Sequence, residues 1–237
     1  MSEMFVTINS CRICNSKDMK LILDLGDQPP ANSLYKPNEE LPPNIPLRLL
    51  YCNHCSTVQL GETVEPEYLF GEYLWVTGTS STANAYSNFF AKNTLKRSKV
   101  KSPYIIEIAS NDGTFLKPFQ EQGSEVLGID PAKNIAKVAS DNCIPTIPEF
   151  FNVELAKELI KKKGTGDIVF ARNVIPHVKN IHSVIEGIMT LLGDSSVGVI
   201  EFHDAGLILE ELHYDSIYHE HLFYFSLCSM NNLLGLH

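Results

Sequence analysis

Two short cysteine motifs near the N-terminus constrain the fold of this chain most strongly. Cys11 and Cys14 form "CRIC", Cys52 and Cys55 form "CNHC", and residues 15–51 separate the two pairs. A Cys-x-x-Cys turn holds two thiolates on one side of a tight bend, and two such turns supply the tetrahedral sulfur ligand set that Zn²⁺ prefers. Because four protein ligands leave no open position, we predict a structural zinc site.

The segment between the two motifs is unsuited to long helices. Prolines interrupt it at positions 29, 30, 37, 42, 43 and 46, so we expect loops and short strands. A domain of about 65 residues with so little core-forming periodicity depends on its metal for stability. We predict a zinc-binding domain over residues 1–66 and a connecting helical and aromatic segment over residues 67–100, with a helix starting near Ser81.

From Tyr104 onward the pattern changes to alternating strands and helices. Four β-branched runs, "YIIEIAS", "EVLGID", "DIVFARN" and "VGVIEFHD", are separated by stretches with helical length and spacing. This alternation predicts a mostly parallel, doubly wound α/β sheet in residues 101–237. Ligands of such sheets bind at the carboxyl ends of the strands, in the loops that follow Ala109, Ile129, Arg172 and Phe202.

The first two of these loops indicate the cofactor. In "EIASNDGTF" only Gly113 is a glycine, whereas a dinucleotide fingerprint needs three to approach a pyrophosphate. The second strand ends in "GIDP", where Asp130 either accepts hydrogen bonds from two ribose hydroxyls or serves as a capping or surface residue. A ribose-binding acid beside a glycine-poor loop favours S-adenosylmethionine over NAD. The residues predicted to line the cofactor site are Glu107, Ala109, Ser110, Asn111, Asp112, Gly113, Asp130, Pro131 and Asn173.

Net charge and hydropathy argue against nucleic-acid and membrane partners. The 237 residues carry a formal net charge of −9, so the molecule repels nucleic-acid backbones and anionic membrane surfaces. The N-terminal "MSEMFVTINS" lacks the basic start and apolar run of a secretion signal, and no 18 apolar residues run together. We expect a cytoplasmic protein with no nucleic-acid or membrane partner.

Several motifs together resemble a known family. The two cysteine motifs, "EYLWVTGTSST", "EIASNDGTF", "GIDP", "NVIPHV" and "YDSIYHEHLFYFS" occur in this order, and are similar to those of zinc-containing sugar C-methyltransferases. The resemblance implies an S-adenosylmethionine-dependent enzyme that acts on a nucleotide-linked deoxyketosugar. It also implies three parts: a zinc domain that helps to bind the nucleotide sugar, a class I (Rossmann-like) methyltransferase domain, and a second α/β domain beyond it.

The resemblance further implies a set of catalytic residues. In the family, the histidine that ends the "YHEH" motif is proposed as the base, and here it is His221. Tyr218 and Glu220 precede it, and His177 of "NVIPHV" is expected nearby. Tyr73 lies in "EYLWVTGTSST", a motif that is associated with the active site.

Methylation of a carbon atom requires such residues. A carbon beside a ketone must lose an α-proton to give the enolate that attacks the sulfonium methyl group, so a base and an oxyanion partner are needed. A histidine is suited to be the base, a neighbouring carboxylate to hold its tautomer, and Tyr218 or His177 to donate a hydrogen bond to the enolate oxygen. These side chains converge only if the segment is a turn, because side chains alternate along an extended chain.

Other interpretations stay open. The histidines of "YHEH" are alternatively surface or packing residues. The chain is alternatively an O- or N-methyltransferase of a small molecule, or a non-catalytic partner protein that binds zinc and S-adenosylmethionine.

The C-terminal end of the sequence adds one expectation. Class I methyltransferases normally continue into two more strands, and the resembling family continues into its second α/β domain, whereas this sequence stops at His237. We therefore expect a sheet incomplete at its C-terminal strands, with an unpaired edge. Self-association, or a second chain that completes the sheet and the sugar site, is the expected consequence.

Overall fold

The computed structural model describes residues 4–70 and 75–237, and their contacts divide the chain into two units. The first unit contains the residues up to Leu69, together with Ile175–Ile181 and Phe202–His237. The second unit contains Phe70–Val174 and His182–Glu201. The predicted domain limits of 1–66, 67–100 and 101–237 stay a prediction.

The first unit is built on a four-stranded antiparallel sheet with the strand order β11-β4-β3-β2. Its strands are β2 (Met19–Gln28), β3 (Ile45–Cys52), β4 (Val58–Leu60) and β11 (Phe223–Tyr224). A separate antiparallel pair joins β1 (Phe5–Thr7) to β5 (Glu62–Val64). The helices around these sheets are α1 (Pro66–Phe70), α7 (Ala205–Glu210) and α8 (Leu227–Leu234).

Strand β2 corrects the expectation of short strands between the cysteine motifs. It has 10 residues and pairs with β3 along its length. The prolines at 29 and 30 follow its last residue, so they end the strand without interrupting it. Two register shifts, one between Leu21 and Leu23 and one between Asp24 and Asp27, let the strand bend, and Gly26 supplies a φ of +68° within the second.

The second unit contains the predicted parallel sheet. Five strands pair in parallel in the order β10-β9-β6-β7-β8, which confirms the fold class. They are β6 (Tyr104–Ile108), β7 (Glu125–Ile129), β8 (Thr146–Ile147), β9 (Gly166–Arg172) and β10 (Leu192–Glu201). The helices are α2 (Ser81–Leu95), α3 (Lys117–Glu121), α4 (Lys133–Asp141), α5 (Val153–Lys163) and α6 (Ile181–Leu191).

Helix α2 begins where the sequence predicted. Ser80 lies just before it with extended backbone, and its hydroxyl oxygen accepts a hydrogen bond from the backbone N–H of Ala83. This contact satisfies one of the N–H groups that the first turn of a helix leaves without a partner.

An aromatic cluster forms the core of the second unit. Phe90 of α2 lies 5.1 Å from Phe170 of β9 and 5.8 Å from Phe115, measured between ring centroids. Phe119 packs on Phe170 at 5.7 Å. The central strands β6 and β9 are almost continuously apolar because both of their faces are covered, as is usual for parallel sheets.

The outer strands of the parallel sheet pair on one side only in the part of the chain that the structure describes. There, β10 pairs with β9 alone and β8 with β7 alone. Whether another chain covers either edge stays a prediction. None of the helices within residues 4–70 and 75–237 is long and apolar enough to cross a membrane.

Candidate functional site

The four predicted cysteines come together in the first unit. The Sγ atoms of Cys11, Cys14, Cys52 and Cys55 all lie within 4.8 Å of one another. Two of these sulfur–sulfur distances are 3.5 Å, from Cys11 to Cys55, and 3.6 Å, from Cys14 to Cys52. Tetrahedral zinc with Zn–S bonds of about 2.3 Å requires sulfur–sulfur distances of about 3.8 Å. The cluster therefore fits a structural zinc ion, and the predicted four-cysteine site is confirmed.

Both cysteine motifs fold into the same turn. The backbone N–H of Asn15 donates to the carbonyl of Cys11, and the backbone N–H of Ser56 donates to the carbonyl of Cys52. In both turns the donor lies four residues after the acceptor. Asn15 and Ser56 have φ values of 59° and 61°, in the left-handed region. The backbone N–H of Ile13 points at Sγ of Cys11 at 3.4 Å, a contact that stabilises a thiolate.

The predicted cofactor residues lie in the second unit, at the carboxyl ends of β6, β7 and β9. Three non-glycine residues there have left-handed backbone: Ala109 (φ 55°), Asn111 (φ 49°) and Asn173 (φ 50°). Gly113 has a φ of +80°, and a Cβ at this position would lie 2.9 Å from the side chain of Ile144. Strained backbone of this kind persists where the surrounding structure fixes it and is concentrated at functional sites.

The carboxylate of Asp130 is buried and already partly engaged. Its Oδ2 accepts a hydrogen bond from the backbone N–H of Asn111 at 2.8 Å, and its Oδ1 accepts one from Ala132 at 2.9 Å. Burial raises the pKa of Asp130, and these two N–H donors oppose the rise. A carboxylate has about four acceptor positions, so two remain for ribose hydroxyls. The predicted ribose contact is compatible with this geometry and stays a prediction, as does the neighbouring Pro131.

Glu107 lies in β6 beneath the loop. It is buried, and its Oε2 has no hydrogen-bond partner among the described residues. Burial raises the pKa of Glu107 well above its usual value, and the guanidinium of Arg172 opposes this rise. A buried carboxyl with an unused oxygen suits the predicted contact with a cationic methionyl group.

Sequence reasoning missed a polar network around Arg172. The Arg172 guanidinium forms an ion pair with Glu201, whose other oxygen accepts a hydrogen bond from the Tyr86 hydroxyl at 2.8 Å. The guanidinium carbon lies 3.3 Å from the centroid of the Phe115 ring. The position of Arg172 at the end of "DIVFAR" was a usable signal, because it places a cation at the carboxyl end of a strand.

The side chains of two predicted cofactor residues hold another segment. Asn111 Oδ1 accepts from the backbone N–H of Thr77 at 2.9 Å, and Asp112 Oδ2 accepts from Gly78 at 2.9 Å. Asn111 Nδ2 also donates to the carbonyl of Trp75 at 3.0 Å. The side chains of these two residues therefore fix residues 75–78. The predicted cofactor contact through the backbone of this loop stays a prediction. Tyr73 of the same motif lies outside the described residues.

The other four predicted catalytic residues lie in the first unit, and the "YHEH" segment is a turn. The backbone N–H of His221 donates to the carbonyl of Tyr218, so these two side chains meet, with 3.1 Å between Tyr218 Oη and His221 Nε2. The ring of His177 lies edge-on to His221, at 4.7 Å between centroids. Three of the four predicted residues in this unit are thus adjacent.

The tautomer of His221 follows from its contacts. Its Nδ1 lies 2.7 Å from the carbonyl oxygen of Ser216, which accepts only, so Nδ1 carries the proton. In the neutral ring Nε2 is then the acceptor, and the Tyr218 hydroxyl donates to it. Burial lowers the pKa of His221, which keeps the imidazole neutral near pH 7.

The remaining two residues of the motif have different surroundings. Glu220 is buried, and its Oε1 accepts a hydrogen bond from Asn32 Nδ2 at 2.5 Å. The tautomer of His221 is therefore held by the Ser216 carbonyl and not by the neighbouring carboxylate that the sequence suggested. His219 is also buried, and its Nε2 donates to the carbonyl of Ile45 at 3.1 Å, which makes it a packing residue.

Comparison with known proteins assigns both parts of the chain. Residues 11–70 match the model of a putative zinc binding domain. Residues 83–236, more than half of the chain, match the model of a methyltransferase domain. The chain belongs to this methyltransferase family. The predicted methyl donor, S-adenosylmethionine, and the zinc site agree with these two matches.

A curated relative of this methyltransferase chain is the C-methyltransferase NovU of Streptomyces niveus. The two sequences are 29% identical over 240 residues, covering 100% of this chain and 57% of NovU. The chain thus spans a little over half the length of that relative.

Solved structures share the methyltransferase fold. A SAM dependent methyltransferase from Archaeoglobus fulgidus superposes with a TM-score of 0.54 and 16% identity, over 65% of this chain and 67% of that one. The plantazolicin methyltransferase BamL, solved in complex with a triazolic desmethylPZN analog and SAH, superposes with a TM-score of 0.52 and 19% identity, over 66% and 62%. At these identities the similarity concerns the fold.

Proposed function

We propose that this chain is an S-adenosylmethionine-dependent C-methyltransferase that methylates a carbon next to a ketone of a nucleotide-linked deoxysugar. The observation that carries the proposal is the contact of Tyr218 with a neutral His221 whose tautomer is fixed by Ser216. The likeness to a C-methyltransferase over the whole chain supports it. Transfer to oxygen or nitrogen needs at most a base, whereas enolate formation needs a base and an oxyanion donor together, and Tyr218 and His177 both adjoin His221.

His221 is proposed as the base that removes the α-proton. Its Nε2 has a lone pair because Nδ1 is protonated, and the contact with the Ser216 carbonyl stabilises the imidazolium that forms. The Tyr218 hydroxyl donates a hydrogen bond to this lone pair. Either this hydrogen bond breaks when substrate binds and Nε2 takes the α-proton directly, or the Tyr218 oxygen takes the α-proton while its own proton moves to Nε2. Tyr218 is also our second choice for the base itself.

The oxyanion of the enolate needs a donor. His177, whose ring lies 4.7 Å from that of His221, and the hydroxyl of Tyr218 are the proposed donors. Glu220 is proposed as a supporting residue, with its orientation fixed by Asn32. S-adenosylmethionine, when bound, supplies the methyl group, and the proposed contacts are Asp130 with the ribose and Glu107 with the methionyl part.

The first experiment tests the reaction class. The zinc-loaded chain is incubated with S-adenosylmethionine and a panel of nucleotide-linked 4-ketosugars, and release of S-adenosylhomocysteine is measured with mass spectrometry of the product. We expect ketosugar-dependent release and a new carbon–methyl bond. A methyl group on oxygen or nitrogen, or cofactor binding without release on any ketosugar, contradicts the proposal.

The second experiment tests the base by proton exchange. In D₂O with S-adenosylhomocysteine in place of the methyl donor, the wild type should exchange the α-proton of the ketosugar for deuterium. His221→Ala should slow both this exchange and turnover by roughly 10²- to 10⁴-fold, with cofactor affinity nearly intact. His182→Gln, a histidine of α6 outside this cluster, serves as the control and should exchange normally. A near-normal rate in His221→Ala moves the base to another residue.

A further inference from the structure

A fully buried glutamine contacts the zinc ligands. Gln59 of β4 points its Nε2 at Sγ of Cys11, at 3.1 Å. An amide N–H that donates to a thiolate sulfur disperses its negative charge, and residues in this position tune metal affinity. The glutamine of "STVQLGE" was not selected by sequence reasoning, because a single glutamine carries no motif.

The other end of the same side chain clamps the first cysteine turn. Gln59 Oε1 accepts from the backbone N–H of Arg12 at 3.0 Å and from its guanidinium Nη1 at 3.3 Å. The Arg12 guanidinium also donates to the carbonyl of Glu62 at 3.0 Å and to Oγ1 of Thr63 at 2.6 Å. A residue between two zinc ligands is thereby tied to β4 and β5.

Strand β4 also pairs with β11, the strand that follows the proposed base His221 in sequence. Phe223 of β11 pairs with Gln59, and the backbone N–H of Leu60 donates to the carbonyl of Leu222 at 3.0 Å. Leu222 is the residue directly after His221. A second tie comes from α8, where Asn232 Nδ2 donates to the carbonyl of Cys55 at 3.1 Å. The zinc turns and the turn that carries His221 therefore share one strand pair.

We propose that Gln59 is a positioning residue that links the zinc thiolate of Cys11 to the strand pair β4–β11 and thereby fixes the turn that carries His221. Its consequence for catalysis rests on the proposed function, whereas the link itself does not. Zinc in this chain then has a second task besides stability, because it sets the position of a histidine more than 150 residues away in sequence.

The test uses Gln59→Glu with Gln28→Glu as its matched control. Glutamate at position 59 still accepts from Arg12 but cannot donate to the sulfur, and it adds a like charge beside the thiolate. Gln28 is an exposed glutamine on β2 of the same sheet, so its replacement makes the same charge change away from the metal. We expect zinc affinity, measured by competition with a chromophoric chelator, to fall about 10- to 100-fold in Gln59→Glu and to stay unchanged in Gln28→Glu.

The second readout follows His221 directly and does not depend on turnover. In folded, zinc-saturated protein with ¹⁵N-labelled histidine, the Nδ1 signal of His221 should shift in Gln59→Glu, while that of His182 should not. Wild-type zinc affinity in Gln59→Glu overturns the role of Gln59. A weaker zinc site with an unchanged His221 signal overturns the link. If these shifts occur and no ketosugar turns over in any variant, the proposed function fails and the link stands.

A measurement on the wild type keeps the proposal testable if Gln59→Glu does not fold. With ¹¹³Cd in place of zinc, the side-chain amide of Gln59 should show a coupling to the metal through the N–H···S contact. A cadmium-loaded, folded protein without this coupling overturns the proposal.

Discussion

At the residue scale, the carboxylate of Asp130 fixes its own loop, and we propose that it also binds the cofactor. Asp130→Ala should weaken binding of S-adenosylhomocysteine roughly 10- to 100-fold, because a hydrogen bond to a charged group contributes about 1.5–3 kcal/mol. Isothermal titration calorimetry measures this affinity. Asp130→Asn, which keeps one acceptor oxygen, should lie between Asp130→Ala and the wild type.

Asp141→Ala is the control for this prediction, since Asp141 is an exposed acid that pairs with Lys137. Thermal unfolding of each variant shows whether the loop itself has been lost, because Asn111 and Ala132 both donate to Asp130. Unchanged affinity in a folded Asp130→Ala protein means that the ribose binds elsewhere.

Glu107 should make stability depend on pH. Burial raises its pKa above the ordinary value of 4.5, so the folded state holds this proton more tightly than the unfolded chain does. Stability from this group is present below pH 4.5 and is lost as pH rises from 4.5 through the folded pKa. Glu107→Gln removes this loss and should therefore gain stability over the wild type at about pH 8, with a smaller gain at about pH 5.5.

Urea titrations at both pH values measure this difference for Glu107→Gln. Glu158→Gln, an exposed acid on α5, should show no such pH-dependent gain. An equal offset from the wild type at the two pH values means that Glu107 is ionised in both states.

The sequence identified residues where spacing carries the information. Four cysteines at fixed spacing predict one cluster because few other arrangements satisfy them. The tautomer of His221 was out of reach, since its partner is the carbonyl of Ser216, a backbone group that every residue has. Gln59 was missed for a related reason, because it acts through neighbours that are distant in sequence. Arg172 carried a signal in its position at a strand end, but its network with Glu201 and Tyr86 also joins distant parts of the sequence.

At the element scale, the N-terminus of helix α5 tests how much one capping side chain contributes to stability. Asn152 precedes it, and its side chain accepts a hydrogen bond from the backbone N–H of Leu155 at 2.8 Å. Asn152→Ala should lower the free energy of unfolding by about 1 kcal/mol, because a first-turn N–H loses its partner. Asn152→Asp keeps an acceptor and adds a charge that favours the helix N-terminus, so it should match or exceed the wild type.

Urea unfolding of the zinc-saturated protein measures both Asn152 variants. Asn88→Ala, on the exposed side of α2, replaces an asparagine whose side-chain amide donates to the Asn84 carbonyl of the same helix, and should cost little. If the alanine and aspartate variants at position 152 are equally stable, the cap contributes nothing.

Elements with strong local patterns were predicted and those held by distant pairing were not. The runs of β6, β7, β9 and β10 are β-branched and bounded by helical stretches, so periodicity alone reveals them. Strands β8 and β11 have two residues each, too few for any period. Strand β11 joins β4 across more than 160 residues of sequence, and only tertiary packing specifies such a contact.

At the scale of the whole molecule, the two units differ in what stabilises them. The first unit holds a cluster of four thiols beside its antiparallel strands, whereas the second has an aromatic core around Phe90, Phe119 and Phe170. Binding of structural zinc contributes about 10–16 kcal/mol in small zinc peptides, so removing it should unfold a unit of this kind.

We predict that chelation of zinc unfolds the first unit and leaves the second folded. Hydrogen exchange measured by mass spectrometry should show protection lost in peptides from β2, β3 and β11 and kept in peptides from β6 and β9. S-adenosylhomocysteine should still bind, because its proposed contacts, such as Asp130, belong to the second unit.

Cys14→Ser should reproduce the effect of chelation without any chelator. Cys228→Ser, at an exposed cysteine outside the cluster, should keep both its zinc and its protection. Loss of protection in β6 and β9 at the same chelator concentration contradicts the prediction, since the second unit then depends on the metal as well.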